Sequence, residues 1–275
     1  MNSYTNNILV PLDFSEQSLI ALSQSYNLAR FTKSKLVLLH VLTDKSEKDI
    51  EITLQKRAEK VSVEAGVPVE IIIEKGNVYK KIVEVAERLN PVFIILGTTS
   101  HIGRDKLVGL NSFQLVRESK FPIITIRGKQ HRSGCENILL PLDLTKQTRE
   151  KVGKAIELAK YFGSTIKVLS IFSHKERRLE NKLISYSHQV QKFIKEKGVA
   201  CTIKTIEGDD ISKIVIDYAI KSDADLIMIM TKQELSVKEF FIGTNAQRLI
   251  NLSPIPVLSI RPMDRKDTTS FTSPF

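Results

Sequence analysis

The segment Ile8-Leu9-Val10-Pro11-Leu12-Asp13-Phe14-Ser15-Glu16-Gln17-Ser18 returns as Ile138-Leu139-Leu140-Pro141-Leu142-Asp143-Leu144-Thr145-Lys146-Gln147-Thr148, with six identities in eleven positions. Leu28-Ala29 then matches Leu158-Ala159, Lys81-Ile82-Val83 matches Lys213-Ile214-Val215, and Pro122 to Arg127 matches Pro256 to Arg261, in the same order. The offset drifts only from 130 to 134. A repeat of that length is one domain duplicated in tandem. The junction falls near Gly128 to Gly134, a stretch of Gly, Lys, Gln, His and Ser, which gives domains at 1–133 and 134–261. A tail at 262–275, rich in Asp, Thr, Ser and Pro, reads as disordered.

Within the first copy, Asn7 to Leu12, Leu36 to Leu42, Val69 to Ile73, Val92 to Leu96 and Ile123 to Ile126 are short apolar runs that read as buried strands. Between them, apolar residues three and four apart predict amphipathic helices on Leu19, Leu22, Tyr26 and Ala29, on Ile52, Ala58, Val61 and Ala65, and on Val78, Ile82, Val85 and Leu89. Ser15 is placed to cap the first helix and Asp44 or Ser46 the second, which Gly66 ends. Strand and helix alternating in this way predict an α/β fold, a five-stranded parallel sheet with helices on both faces. The second copy repeats the pattern, with strands near Asn137 to Pro141, Ile166 to Phe172, Cys201 to Glu207, Leu226 to Met230 and Val257 to Ile260.

Composition narrows what such a pair of domains does. A net charge of +10 suggests nucleic acid until it is divided, because residues 1–133 and 134–275 each carry +5 with acids interspersed. No Trp is present and the Tyr residues are scattered, so no base-stacking ladder is read. Apolar runs such as Leu226 to Met230 fall far short of the roughly 18 residues of a membrane span, and Met1 to Thr5 is polar, so the expectation is a soluble, cytoplasmic protein with no DNA or membrane partner. Cys135 and Cys201 lack metal-ligand or CxxC spacing and are expected to be reduced and structural. Of five histidines, His40 lies inside the second strand and is expected in the core, His101 lies in a glycine loop, and His131, His174 and His188 look like surface residues.

In an open parallel sheet the ligand crevice lies beyond the carboxyl ends of the strands, where the winding reverses. After the first strand comes Pro11-Leu12-Asp13. After the fourth comes Gly97-Thr98-Thr99-Ser100-His101-Ile102-Gly103, continuing through Arg104, Lys106, Gly109, Leu110, Asn111 and Ser112. Glycine and hydroxyl residues leading into a helix N-terminus suit an anion, since free backbone N–H groups and the helix dipole converge there. An Asp after a strand also commonly fixes the turn or caps the following helix, and either reading fits Asp13.

These features together resemble the universal stress protein family in its tandem form. The resemblance runs over residues about 4 to 261 and rests on the segment at 8–15, the glycine loop after the fourth strand, and Phe121-Pro122-Ile123-Ile124-Thr125-Ile126-Arg127, with their echoes in the second copy. It implies two Rossmann-like domains of the adenine nucleotide alpha hydrolase type. In one subclass such a domain binds ATP, with Mg possible alongside it, through the Asp after the first strand, a backbone near the end of the second, and a phosphate loop of form G-x-x-G-x(9)-G-[ST]. Carried onto this chain, those positions are Asp13, Val41, Gly97 and Gly109. Ser100 stands at the second glycine, Leu110 at the Ser/Thr, and the loop is one residue short. Asn111 and Ser112 are candidates to supply the missing polar contacts. The second copy keeps Asp143 and Gly243-Thr244-Asn245, but Met230, Gln233 and Ser236 replace the earlier part of the motif, so its site is expected to be empty, structural or adapted to another ligand, and the domain mainly structural or regulatory.

Neither copy carries a nucleophile, base or metal cluster at a recognisable catalytic spacing. The leading expectation is a stress-response protein that binds ATP or a related adenine nucleotide in its first domain. The alternatives are a weak ATP hydrolase or phosphotransferase and a scaffold that binds no nucleotide. The apolar last strands, Ile123 to Ile126 and Val257 to Ile260, suit intramolecular pairing of the two domains, and a homodimer of the chain stays open.

Overall fold

The computed structural model describes residues 4–42, 49–98, 108–128, 134–142, 148–173, 180–231 and 240–261. They fall into two compact units, the first ending at Ser133 and the second beginning at Gly134. The first runs β1 (Asn6–Pro11), α1 (Glu16–Phe31), β2 (Ser34–Leu42), α2 (Ile50–Ala65), β3 (Val69–Lys75), α3 (Val78–Leu89), β4 (Phe93–Gly97), α4 (Val108–Glu118), β5 (Ile123–Ile126). The second runs β6 (Asn137–Leu142), α5 (Thr148–Phe162), β7 (Thr165–Phe172), α6 (Glu180–Glu196), β8 (Cys201–Glu207), α7 (Ile211–Lys221), β9 (Leu226–Met230), α8 (Phe240–Leu252), β10 (Val257–Ile260). The tail after residue 261 and the candidate caps Asp44 and Ser46 lie outside the described residues.

Each unit is the α/β fold that the repeat predicts. The first sheet is ordered β3-β2-β1-β4-β5 and the second β8-β7-β6-β9-β10. Every strand pair within each unit is parallel. With right-handed crossovers that order places α1 and α2 on one face and α3 and α4 on the other. A sheet covered on both faces needs continuous apolar strands rather than alternating ones. Ile8, Leu9 and Val10 in β1 and Leu36 to Leu39 in β2 are accordingly buried without a break. At roughly 1.5–3 kcal/mol for each large side chain, these strands dominate the stability of the unit.

Local signals set the helix ends. Ser15 caps α1, its side chain accepting from the Ser18 amide, and Asn77 caps α3 by accepting from Lys80 N. Gly66 ends α2 in the left-handed region at φ 65°, its N–H donating to Ser62 O. Three expectations need correction. The N-cap of α2 is Asp49, with a left-handed backbone and no side-chain capping bond, so neither Asp44 nor Ser46 fills that position. Ile52 is 56% exposed, and Leu54 takes its place in the buried stripe with Ala58, Val61 and Ala65. Six residues of helix turn Ile52 about 240° away from Ala58, off that face. Val78 is 40% exposed because it opens α3 at the rim of the sheet.

Candidate functional site

Parallel strands that part company make a notch. β1 pairs with β2 from Asn6–Ser34 to Pro11–Leu39, but with β4 only at Ile8–Phe93 and Leu9–Ile94. Beyond Leu9 the two central strands separate, at the point where the winding reverses. Leu12 N donates to Leu39 O, so by alternation the Pro11 carbonyl points the other way, toward β4. A cavity of about 460 Å³ opens there. Its floor is Pro11, Leu12, Leu39, Val41, Leu96 and Gly97; α1 contributes Ser18, α3 contributes Val78, Tyr79 and Ile82 behind Gly76 and Asn77, and α4 contributes Ser112 and Leu115. Asp13 and His40 complete the lining.

Among the described residues, Asp13 is the single formally charged one in that lining. Its Oδ1 accepts from Ser15 N at 3.0 Å and Ser15 Oγ at 2.6 Å, which fixes the β1–α1 turn around Phe14 at φ 60°. Burial pulls the Asp13 carboxyl upward, but hydrogen bonds from the Ser15 and Ser18 hydroxyls and the Ser15 amide outweigh it, and the group stays below its ordinary value. It is ionised at neutral pH. One oxygen of Asp13 thus serves the turn while the residue borders the cavity.

His40 is buried, as expected of a core residue, and it also lines the cavity. Its Nδ1 lies 2.7 Å from Leu12 O, and a carbonyl only accepts, so Nδ1 carries the proton. The ring also lies 5.5 Å from that of Phe14. On the opposite wall the Tyr79 hydroxyl donates to Glu118 Oε2, joining α3 to α4. Burial, then that bond, pushes Tyr79 up to about 12, while the same bond holds Glu118 below the usual carboxylate range.

Gly97 has a role the sequence did not announce. A Cβ built there meets Gln17 O at 2.3 Å, Gln17 C at 2.4 Å and Ser18 N at 2.7 Å. The missing side chain admits the first turn of α1 against the end of β4, so this glycine serves packing as well as bordering the cavity. Thr98 is turned aside, its amide donating to Ile126 O at 2.9 Å and its hydroxyl to the same oxygen at 3.4 Å. Pro11, Leu12, Asp13, Val41, Gly97 and Ser112 are thus brought together. Gly109, Leu110 and Asn111 form part of the first turn of α4. Ser100, His101, Gly103, Arg104 and Lys106 lie outside the described residues. The α3 residues were missed, although Asn77 to Tyr79 follow a strand end just as Asp13 does.

The second unit has the same notch and furnishes it differently. β6 pairs with β7 through Pro141–Leu169 and Leu142–Ser170, but with β9 only at Ile138–Leu226 and Leu139–Ile227. Met230, half-buried, ends β9 where Gly97 ends β4. Asp210 caps α7 as Asn77 caps α3, and Arg248 of α8 grips it through Nη1–Oδ1 and Nη2–Oδ2 bonds of 2.9 Å each. That fork, followed by the Lys213 amide, lowers Asp210 to about 2. Gly243 and Thr244 fall in the first part of α8 and Asn245 is half-buried there, while Asp143, Gln233 and Ser236 are outside the described residues. Both cysteines are free; burial pushes Cys135 up to about 12 and Cys201 up to about 11, so neither is a thiolate at neutral pH. Among the described residues no group of three or more His, Cys, Asp or Glu is placed to hold a metal ion, and no helix is long and apolar enough to cross a membrane.

The family model described as the universal stress protein family matches residues 5–127 and again 134–261. A universal stress protein of Archaeoglobus fulgidus DSM 4304 superposes with a TM-score of 0.75 at 20% identity, covering 94% of this chain and 97% of that one. A Pseudomonas aeruginosa UCBPP-PA14 structure described as a universal stress protein gives a TM-score of 0.70 at 20% identity, over 94% and 93% of the two chains. At these identities the likeness shows the fold. A universal stress protein of Mycolicibacterium smegmatis is 29% identical over 75 residues, which is 27% of this chain and 58% of the relative's length.

Proposed function

The chain belongs to the universal stress protein family, with two such domains in tandem, and from that premise we propose that its first unit binds ATP or a related adenine nucleotide at the β1/β4 notch. The observation that carries the reading is the cavity of about 460 Å³ with Asp13 as the one formal charge among its described lining residues. A volume of that order suits a nucleoside. Its apolar lining, Leu39 and Val41 from the floor with Val78 and Ile82 from α3, suits the faces of a purine. An ionised carboxylate accepts hydrogen bonds and donates none, which suits vicinal sugar hydroxyls and repels phosphate. The phosphates then lie away from Asp13, toward the α4 N-terminus, where backbone N–H groups and the helix dipole favour negative charge. Any Mg²⁺ is carried on the nucleotide's own phosphates.

In this reading the second unit is structural or regulatory, and the protein acts as a cytoplasmic, nucleotide-responsive component of the stress response. Two unbridged thiols are compatible with a reducing compartment. Titration calorimetry of ATP into the full chain tests the site, with Asp13→Ala as the comparison. Loss of hydrogen bonds to a charged group, about 1.5–3 kcal/mol, weakens ATP by roughly ten- to a hundredfold. ATP binding that is absent from the parent chain, or equal in the variant, overturns it. Phosphate release that persists above the Asp13→Ala background is the result that moves the reading to the hydrolase.

A further inference from the structure

Lys151 is a lysine in a place built for a small apolar residue. It sits on the buried face of α5, 6% exposed, among Val152, Ala155 and Ala159. These residues match Leu22, Ser25 and Ala29 on the buried face of α1 at a constant offset of 130, so the counterpart of Lys151 is Ala21, which is 0% exposed. The first unit shows that a methyl group satisfies this position. An ammonium there carries a desolvation cost that only close polar partners offset.

One such partner is the carbonyl of Pro141, which accepts from Lys151 Nζ at 2.6 Å. The β6/β7 register from Ile138–Ile166 to Pro141–Leu169 copies the β1/β2 register from Ile8–Leu36 to Pro11–Leu39. The Pro141 carbonyl therefore points toward β9, past the last β6/β9 pair at Leu139–Ile227. That is the notch which, in the first unit, opens into the cavity bordered by Pro11.

We propose that Lys151 is a built-in occupant of the second notch, a tethered cation that fills the ground the first unit leaves to its ligand and so limits the chain to one nucleoside-binding site. The proposal rests on the nucleotide reading of the first notch, yet its test does not depend on it. The duplicate thereby keeps its fold while its side chain, rather than a ligand, satisfies the exposed strand end.

The test is a reciprocal exchange in the full-length chain, read as binding stoichiometry for adenosine by calorimetry, with the thermal transition recorded for each variant. Lys151→Ala is expected to bind one equivalent more than the parent, and Ala21→Lys one equivalent fewer. Because the Lys151→Ala readout is the increment, that arm is legible whether the parent binds one equivalent or none, while Ala21→Lys is read where the parent binds one; a parent that binds none refutes the nucleotide reading alone. A stoichiometry unchanged in Lys151→Ala overturns the proposal. Should that variant fail to fold, Lys151→Ser, which fills the space with a small polar group, is read in the same way.

Discussion

β1 and β6 carry nearly the same residues, pair in the same register and lead to opposite interiors. In the first unit the strand end opens on a cavity, α1 is pressed against Gly97, and His40 holds the carbonyl of Leu12. In the second, Met230 stands at the glycine, Lys151 reaches the strand end from below, and Arg248 clamps Asp210. The counterpart of His40 is Ser170, which bonds Ser187 Oγ at 2.6 Å and so faces α6 rather than a turn. The difference teaches where a duplicated domain is free to change. Buried strand residues are constrained by packing on both faces and are retained in kind, whereas residues at the strand ends answer to whatever lies beyond them.

The contrast is most easily broken at Gly97. Gly97→Ala forces backbone apart and is expected to destabilise the first unit by about 3 kcal/mol, the upper range for overpacking. Met230→Ala, at the matching place, is expected to cost less, about 1–1.5 kcal/mol, because the side chain is only half-buried. Urea unfolding monitored in each unit compares them, and equal effects would erase the distinction. The same result makes Gly97→Ala unsuitable as a binding-site probe, since weakened binding then reports lost packing.

A smaller effect is expected at His40. Leucine leaves the Leu12 carbonyl without its donor, which costs about 2 kcal/mol, whereas asparagine places an N–H near the same point and restores part of it. The matching change Ser170→Ala is expected to cost about 1 kcal/mol and to leave nucleotide affinity unaltered. Affinity that falls equally for His40→Leu and Ser170→Ala would show that the two positions are not differently employed.

The gentlest test concerns Asp210 and is read by pH. Its native value near 2 lies below the ordinary 3.8, so it contributes stability that is fully present above about pH 4 and is lost as the pH falls toward 2. Arg248→Gln, which installs the residue type found at Gln114 in the first unit, is expected to flatten that acid limb by lowering stability above about pH 4, so that the parent and variant curves converge as the pH falls toward 2. Acid unfolding curves of parent and variant that coincide would remove the fork from the comparison.

Much of this architecture was legible because buried parallel strands announce themselves as apolar runs. β5, β8, β9 and β10 begin and end where the pattern puts them, at Ile123–Ile126, Cys201–Glu207, Leu226–Met230 and Val257–Ile260. Helices were less plain. Lys81-Ile82-Val83 and Lys213-Ile214-Val215 align by identity at an offset of 132, yet the buried Ile82 and Ala86 correspond to Val215 and Ala219 at 133. A helix shifted by one residue keeps its look in a linear alignment while turning by about 100°. The cavity was half legible: Asp13 follows a strand and Val41 lies in one, and both strand ends are obvious, but Ser18, Tyr79 and Leu115 reach it from helices, and no one-dimensional spacing records which helix faces meet. Lys151 was hidden for a related reason, since a lysine in an amphipathic helix looks exposed until the face it occupies is known.

The contact at Gly97 also has a dynamic side. With less than 2.5 Å between a would-be Cβ and the Gln17 carbonyl, α1 and β4 have no clearance in which to slide. A close-packed wall of this kind moves as one body or not at all. The opposite wall is looser in kind, since α3 and α4 are held there by the Tyr79–Glu118 side-chain hydrogen bond near the surface. The cavity is thus bounded on one side by backbone with no clearance and on the other by two helices tied through a side-chain hydrogen bond.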